Sequence, residues 1–323
     1  MKHTVGIIGL GNIGMTYDSD VNDTTTFLSH SKSFYHHPAF ELSFLLDIKE
    51  ELRLEAKKRF PEVSVISDVK EVNVFPDVLV LSASPEVNLK YLEALKDKKE
   101  IRLFVVEKPF WSAAVPEGWL EEGEPQKIYV NYFRKYLPYF QNLKQQISEN
   151  NFGKPVSANV YYSKGLRNNG SHLIDLLNYL FAAHEIESTA VFQKVNDYKN
   201  DDLSLSFVLR FKNAESNFPV VFNALDERNY SLIELDLFFE KERIRLHEFG
   251  GKADTFSVKE DPLFPGYLNL LPEKEKETTA IDRYAYYLCD KVKMILAGEA
   301  QNDSSLKNEK YIFDIIQQIK NQL

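Results

Sequence analysis

Thr4-Val5-Gly6-Ile7-Ile8-Gly9-Leu10-Gly11-Asn12-Ile13-Gly14 is the stretch that decides the fold. An apolar run of strand type ends at Gly9, and glycine recurs at 11 and 14. That spacing has a mechanism. The first glycine permits the tight turn after a strand, and the second lets a pyrophosphate approach the backbone. The third lets the next helix pack against the strand. Phosphates would then sit on free N–H groups at a helix N-terminus. Gly9, Gly11, Asn12, Ile13 and Gly14 are therefore expected to bind a dinucleotide.

The pattern continues outward from this turn. Strands are expected at Thr4–Ile8, Glu41–Leu46, Val63–Ile66, Asp77–Ser82 and Leu103–Val106, with helices over Lys49–Phe60 and Glu86–Lys96. Runs such as Val78-Leu79-Val80-Leu81 suit strands buried on both faces, as in a parallel sheet. Repeated strand–helix–strand order predicts an α/β Rossmann domain, a doubly wound parallel sheet, over residues 1–133. Lys127–Tyr132 adds a final strand, and Pro138–Asn150 a linking helix. Beyond it the pattern changes to alternation, as in Leu203-Ser204-Leu205-Ser206-Phe207. Strands at Val156–Ser163, Ser188–Val195, Leu203–Lys212, Pro219–Ala224 and within 231–259 predict an α+β domain over 134–323 with a large, mostly antiparallel sheet. Helices are expected at Ser171–Phe181, Ile281–Leu296 and Leu306–Leu323, and the C-terminal helix could pack back on the first domain.

Composition narrows the function. Residues are 44% hydrophobic and 27% charged, so the chain can bury two cores. A formal charge of -9 argues against a nucleic-acid partner, which calls for basic stripes. Cys289 is the single cysteine, so no internal disulfide forms. No apolar stretch reaches the ~20 residues of a membrane span. Met-Lys-His-Thr leads straight into a strand-like segment, too short for a signal peptide, and a cytoplasmic protein is expected.

Asp47 ends the second strand, where a carboxylate can accept hydrogen bonds from the adenosine ribose. It would repel a 2′-phosphate, which favours NAD; Lys49 and Arg53 nearby keep NADP open. Asp47 lies further from the glycines than the usual ~20 residues, which an inserted loop over residues 15–28 explains. His30, starting a helix after that insertion, reads as a surface residue, with reach into the cleft as the alternative. Ser82-Ala83-Ser84-Pro85 and Glu107-Lys108-Pro109 each follow a buried strand, placing them at the ligand-binding edge of the sheet. His36, His37, His184 and His247 have no metal-ligand spacing, and no metal is expected.

The glycine turn, Glu107-Lys108-Pro109 and the later segment Lys164-Gly165-Leu166-Arg167-Asn168-Asn169-Gly170-Ser171-His172 resemble the glucose–fructose oxidoreductase/inositol dehydrogenase (Gfo/Idh/MocA) family. The resemblance covers essentially the whole chain. It implies an NAD(P)-dependent oxidoreductase acting on a sugar or sugar nucleotide. Lys108 would hold the reacting oxygen and His172 would transfer its proton. A histidine suits that step near neutral pH, and a nearby ammonium stabilises alkoxide charge. The two come from distant parts of the chain and are expected to converge on the nicotinamide. Two departures stand out: Asn168 replaces the family's usual Asp, and Asn88 stands where a histidine is common. Arg134, Tyr162, Lys164, Asn169 and Asp175 are candidate substrate contacts. Arg134 and Lys164 could instead be solvated, and Asp175 could orient His172 or merely suit a helix N-terminus. The Asn-Asn-Gly-Ser-His variant is similar to members in surface-polysaccharide sugar metabolism. A homodimer or homotetramer through the C-terminal sheet is implied. The rival readings are a cofactor-binding regulator that has lost chemistry and a reductase of another carbonyl or imine.

Overall fold

A computed structural model describes residues 2–18, 20–110, 127–183, 185–199, 201–214 and 216–323, with only the backbone described at 274–277. Ser19, within the insertion, and His184 therefore lie outside the described residues. The chain forms two compact units. The first comprises residues 1–136 and 282–311, the second 137–281 and 312–323.

The first unit holds six parallel strands: β1 (His3–Ile8), β2 (Phe40–Leu46), β3 (Ser64–Ile66), β4 (Val78–Leu81), β5 (Leu103–Glu107) and β6 (Ile128–Asn131). Their order is β3-β2-β1-β4-β5-β6, the Rossmann order expected from the buried apolar runs. The order reverses between β1 and β4. Helices α1 (His30–His36), α2 (Glu50–Arg59) and α3 (Pro85–Leu95) connect the strands.

As the inserted loop over residues 15–28 implies, the glycine turn leads into a single helical turn, Asn12–Thr16, closed by Tyr17 N donating to the Asn12 carbonyl, and not into a long helix. α1, only seven residues long, begins fourteen positions later. The core is completed instead by α6 (Tyr284–Leu296), whose Leu288, Cys289 and Val292 join Val5, Ile7, Phe34, Phe40 and Val105 in one buried cluster. The segment before α1 leans on this helix: Phe27 N donates to the Asp282 carbonyl, and the Tyr284 hydroxyl lies 2.6 Å from the Leu28 carbonyl.

The second unit is an eight-stranded sheet. Its strands are β7 (Pro155–Tyr162), β8 (Glu185–Lys199), β9 (Asp202–Lys212), β10 (Asn217–Ala224), β11 (Ile233–Phe239), β12 (Glu242–His247), β13 (Lys252–Glu260) and β14 (Leu268–Thr278). The order is β14-β13-β12-β11-β7-β10-β9-β8, antiparallel throughout except between β10 and β7. Alternation puts Ile233, Leu235, Leu237 and Phe239 of β11 on the buried face, with Leu205, Phe207, Leu209 and Phe211 of β9. Phe181, ending α5 (Ser171–Phe181), packs on Phe218 at a ring separation of 4.8 Å. α4 (Pro138–Ser148) lies beside α5, and α7 (Leu306–Lys320) begins in the first unit and ends in the second. β14 was not foreseen. Its Pro272 and the charged run after it break alternation, and an edge strand tolerates both.

Candidate active site

In the first unit the glycine turn occupies the point where the strand order reverses. The three glycines do different work. Gly9 has φ of +93°, and a Cβ there would stand 2.7 Å from Ala83 N. A Cβ on Gly14 would collide with the Gly9 carbonyl. Gly11 has φ of -68° and ψ of -158°, which any residue adopts, and a Cβ would meet nothing within 4 Å. Among the described residues, nothing requires glycine at 11. The space beside it suits a group that must touch the backbone, so the turn fits a pyrophosphate.

The flanking residues hold this turn. Asp47 Oδ2 accepts from Leu10 N at 2.7 Å and Oδ1 from Lys49 N at 2.9 Å, so its carboxylate braces the glycine turn. Each oxygen retains a lone pair for a ribose hydroxyl. Arg53 is directed to the Asp47 and Ile48 carbonyls, and Lys49 precedes α2 as its cap. The Ser82 hydroxyl lies 2.8 Å from the Gly9 carbonyl, while Ser84 and Pro85 start α3. Asn88 is fully buried: its Oδ1 accepts from Ala83 N at 3.0 Å and its amide faces the Leu81 and Ala83 carbonyls. Asn88, where the resemblance leads one to expect a histidine, is thus a staple of the Ser82–Pro85 turn.

Glu107 ends β5 opposite Asn131 at the end of β6. Its Oε1 accepts from Asn131 Nδ2 at 2.6 Å and lies 2.8 Å from His30 Nε2. Tyr136 donates to Asn131 Oδ1 at 2.7 Å, which fixes the amide's orientation. Burial above all, then the nearby Tyr129 and Glu107, pushes the Tyr136 phenol well above its usual range. His30 is fully buried, which overturns the expectation of a surface role. Its signal in the sequence was faint, because its partner lies 77 residues away. Lys108 follows Glu107, and Phe110 N is held by Glu309 Oε1 at 3.0 Å. Arg134 is buried, not solvated. Its guanidinium lies 4.6 Å from the Phe133 ring centroid, and burial pushes its pKa down to about 10.

In the second unit the segment before His172 is gripped by side chains of β8 and β9. Lys164, at φ of +71°, donates its N–H to Asp197 Oδ2 at 2.7 Å. Gly165 N donates to Ser204 Oγ at 2.8 Å, Arg167 N to Asp202 Oδ1 at 2.8 Å, and Asn168 N to Asp202 Oδ2 at 2.9 Å. A Cβ on Gly165 would collide with the Asp202 carboxylate. Burial raises the Asp202 pKa against the opposing pull of these N–H donors. The helical turn Gly165–Gly170 runs directly into α5, so His172 and Asp175, both buried, sit within a continuing helix. Asp175 is thereby removed from a free helix N-terminus.

Three candidate substrate contacts change meaning. The Tyr162 hydroxyl donates to the Leu205 carbonyl and accepts from Leu205 N, each at 2.8 Å, and the residue is fully buried. Tyr162 fastens β7 to β9 and does not present its hydroxyl to a ligand. Asn169 Nδ2 donates to the Ser163 carbonyl at 2.9 Å and its Oδ1 accepts from Asn168 Nδ2 at 3.2 Å, so the side chain supports the turn. Lys164 pairs with Glu227 at 3.2 Å. Desolvation raises the Glu227 pKa, but hydrogen bonds from Ser231 and Ser163 and the Lys164 charge together bring it below its usual value. Among the described residues, no group of three or more His, Cys, Asp or Glu could hold a metal ion, and no helix is long and apolar enough to cross a membrane.

No protein-family model matches the chain, and no curated protein matches it. Solved structures do. The chain is similar over 100% of its length and 100% of the other's to the dehydrogenase MviM from Clostridium difficile, with a TM-score of 0.71 at 14% identity. A myo-inositol dehydrogenase from Corynebacterium glutamicum matches at TM-score 0.69 and 12% identity, covering 99% of this chain and 97% of that one. The WlbA dehydrogenase from Bordetella pertussis, solved with NADH and UDP-GlcNAcA, matches at 0.70 and 16%, covering 99% and 95%. At such identities the likeness is one of fold, and that fold is the two-domain arrangement the family resemblance implied.

Proposed function

We propose that the protein is an NAD(P)-dependent oxidoreductase that interconverts a hydroxyl and a carbonyl on a sugar or sugar nucleotide. One observation carries this reading: Gly11 is a glycine that the fold does not need, beside open space in the turn where the sheet reverses. Likeness in fold to dehydrogenases supports it, WlbA having been solved with both NADH and a nucleotide sugar. The glycine turn, Asp47, the Ser82–Pro85 turn, Glu107 and Lys108 would hold the cofactor, with NAD favoured by the Asp47 carboxylate. When bound, NAD(P) supplies the hydride acceptor or donor. In the alcohol-oxidising direction, the Lys108 ammonium would hold the reacting oxygen and His172 would take its proton, with Asn168, Asp175 and Arg134 lining the substrate side.

Calorimetry with NAD(H) and NADP(H), followed by a screen of nucleotide sugars, tests the reading. Binding of neither cofactor to the native protein would sink it. Asn168, an amide where the resemblance expects a carboxylate, favours one rival, a regulator that binds cofactor without turnover. Tight NAD(H) binding with no turnover across the screen would support that rival. Assembly through the second unit's sheet and a cytoplasmic setting complete the proposal. Half-buried Val221 and Phe238 on the less covered face of that sheet support the former, and sedimentation showing only monomer at micromolar concentration would remove it.

A further inference from the structure

The first unit contains a buried acid–imidazole pair whose imidazole, His30, has no part in the proposed chemistry. Glu107 Oε1 receives Asn131 Nδ2 at 2.6 Å and faces His30 Nε2 at 2.8 Å, while His30 is fully buried and Glu107 nearly so. The His30 Nδ1 atom has no hydrogen-bond partner among the described residues. That asymmetry assigns the tautomer. With Nε2 as the donor, a neutral ring leaves only a lone pair unpaired at Nδ1, whereas a charged ring would bury an unpaired N–H. Two N–H donors on Oε1 likewise leave no room for a proton on that oxygen. As a carboxylate, Glu107 is then the one charged member of the chain Tyr136–Asn131–Glu107–His30, its Oε1 held by neutral donors.

This charge sits at the carboxyl end of β5, the edge at which doubly wound domains bind dinucleotides. The oxidised nicotinamide ring is a cation and the reduced ring is neutral. A fixed buried anion at this edge discriminates between them, because only one of the two has charge to respond. We infer that Glu107 sets the relative affinity for oxidised and reduced cofactor, and that His30 is a positioning residue acting through Glu107. The inference rests on the cofactor reading proposed above. A unit charge about 10 Å away at an effective dielectric near 20 changes a binding constant by roughly tenfold, which is the scale expected.

The test is calorimetric affinity for NAD+ and NADH separately, on the whole protein, and it requires no substrate. Native protein should bind NAD+ at least as tightly as NADH. Glu107→Gln should weaken NAD+ by roughly tenfold more than NADH. His30→Leu should shift the ratio in the same direction, and His30→Gln, which keeps an N–H donor for Glu107, should restore it. Equal changes in both affinities would make the pair a structural brace and overturn the inference. If the variants do not fold, the native protein decides: NADH bound tenfold more tightly than NAD+ overturns it, and the reverse order upholds it. Failure to bind either cofactor is a different result, because it removes the proposed function itself.

Discussion

Two turns carry the proposed chemistry, and they are built in opposite ways. The turn after β1 is shaped by what its residues lack: Gly9 and Gly14 have no side chain where Ala83 and the Gly9 carbonyl press in. The turn before His172 is shaped by what other strands bring to it. Asp197, Ser204 and Asp202 hold the N–H groups of Lys164, Gly165, Arg167 and Asn168. A turn made by local omission keeps its function in a few adjacent letters. A turn made by distant side chains leaves its local letters free to vary, as Asn168 has.

The largest effects should come from the reacting residue associated with each turn. Lys108→Met should lower turnover on the true substrate by roughly 10²-fold or more, the scale of a lost charge-stabilising donor. His172→Ala should lower it by roughly 10²–10⁴-fold and remove a limb of the pH–rate profile. NAD affinity should be nearly unchanged in His172→Ala and should fall far less than turnover in Lys108→Met. Near-native turnover in both variants would show that the two turns do not serve the reaction.

The glycines come next and separate fold from function within one turn. Gly14→Ala should destabilise the protein by roughly 3 kcal/mol, because its Cβ has a backbone carbonyl in its way. Gly11→Val should melt within about 0.5 kcal/mol of native yet bind no cofactor, since the side chain fills only open space. Comparable melting of the two variants would show that Gly14 is not a packing glycine.

This contrast explains what was legible. β1 to β6 were readable because buried parallel strands are continuous apolar runs, and the glycines name their turn. The interruption after the glycines was legible as an insertion; that α6 fills out this core was not, since that helix comes from the far end of the chain. His30 and Tyr162 were misread for one reason. Their partners, Glu107 and Leu205, lie 77 and 43 residues away, and polarity alone cannot distinguish a buried paired group from a surface one. Asn169 looked like a ligand contact because amides often are, and here it bonds its own turn.

Asp202→Asn tests the second kind of turn. The amide can accept only through one atom, so one of the two N–H groups from Arg167 and Asn168 loses its partner. That costs about 1–2 kcal/mol. pH alters the balance. A carboxyl whose pKa is raised on folding binds more protons folded than unfolded, so its contribution favours folding at low pH and is lost as pH rises through the folded pKa. The penalty of Asp202→Asn should therefore be largest in acid, where the native side chain gains most from folding, and smaller at neutral pH. Chemical denaturation from about pH 4 to pH 7 checks this; a penalty that grows with pH would mean that Asp202 gains from ionising in the fold.

The smallest effect, and the most informative, belongs to Asn168→Asp, which restores the carboxylate the family resemblance leads one to expect. Its backbone N–H already serves Asp202, so the new charge arises beside a carboxyl that burial disfavours in its charged form. Like charges so placed raise the Asp202 pKa further, and the variant should lose about 1 kcal/mol at neutral pH and less in acid, the reverse trend to Asp202→Asn. At the chemical step the sign differs. Asn168 precedes His172 by one helical turn, and a carboxylate there favours the charged imidazole, so in alcohol oxidation, where His172 must be neutral to take the proton, the acidic limb of the pH–rate profile should move upward. The variant should thus be less stable at neutral pH but display the pH profile of an acid-assisted histidine. If stability falls and the limb does not move, residue 168 belongs to the support of its turn and not to the reaction. The asparagine would then stand there because Asp197 and Asp202 already supply the buried carboxylates that hold this turn.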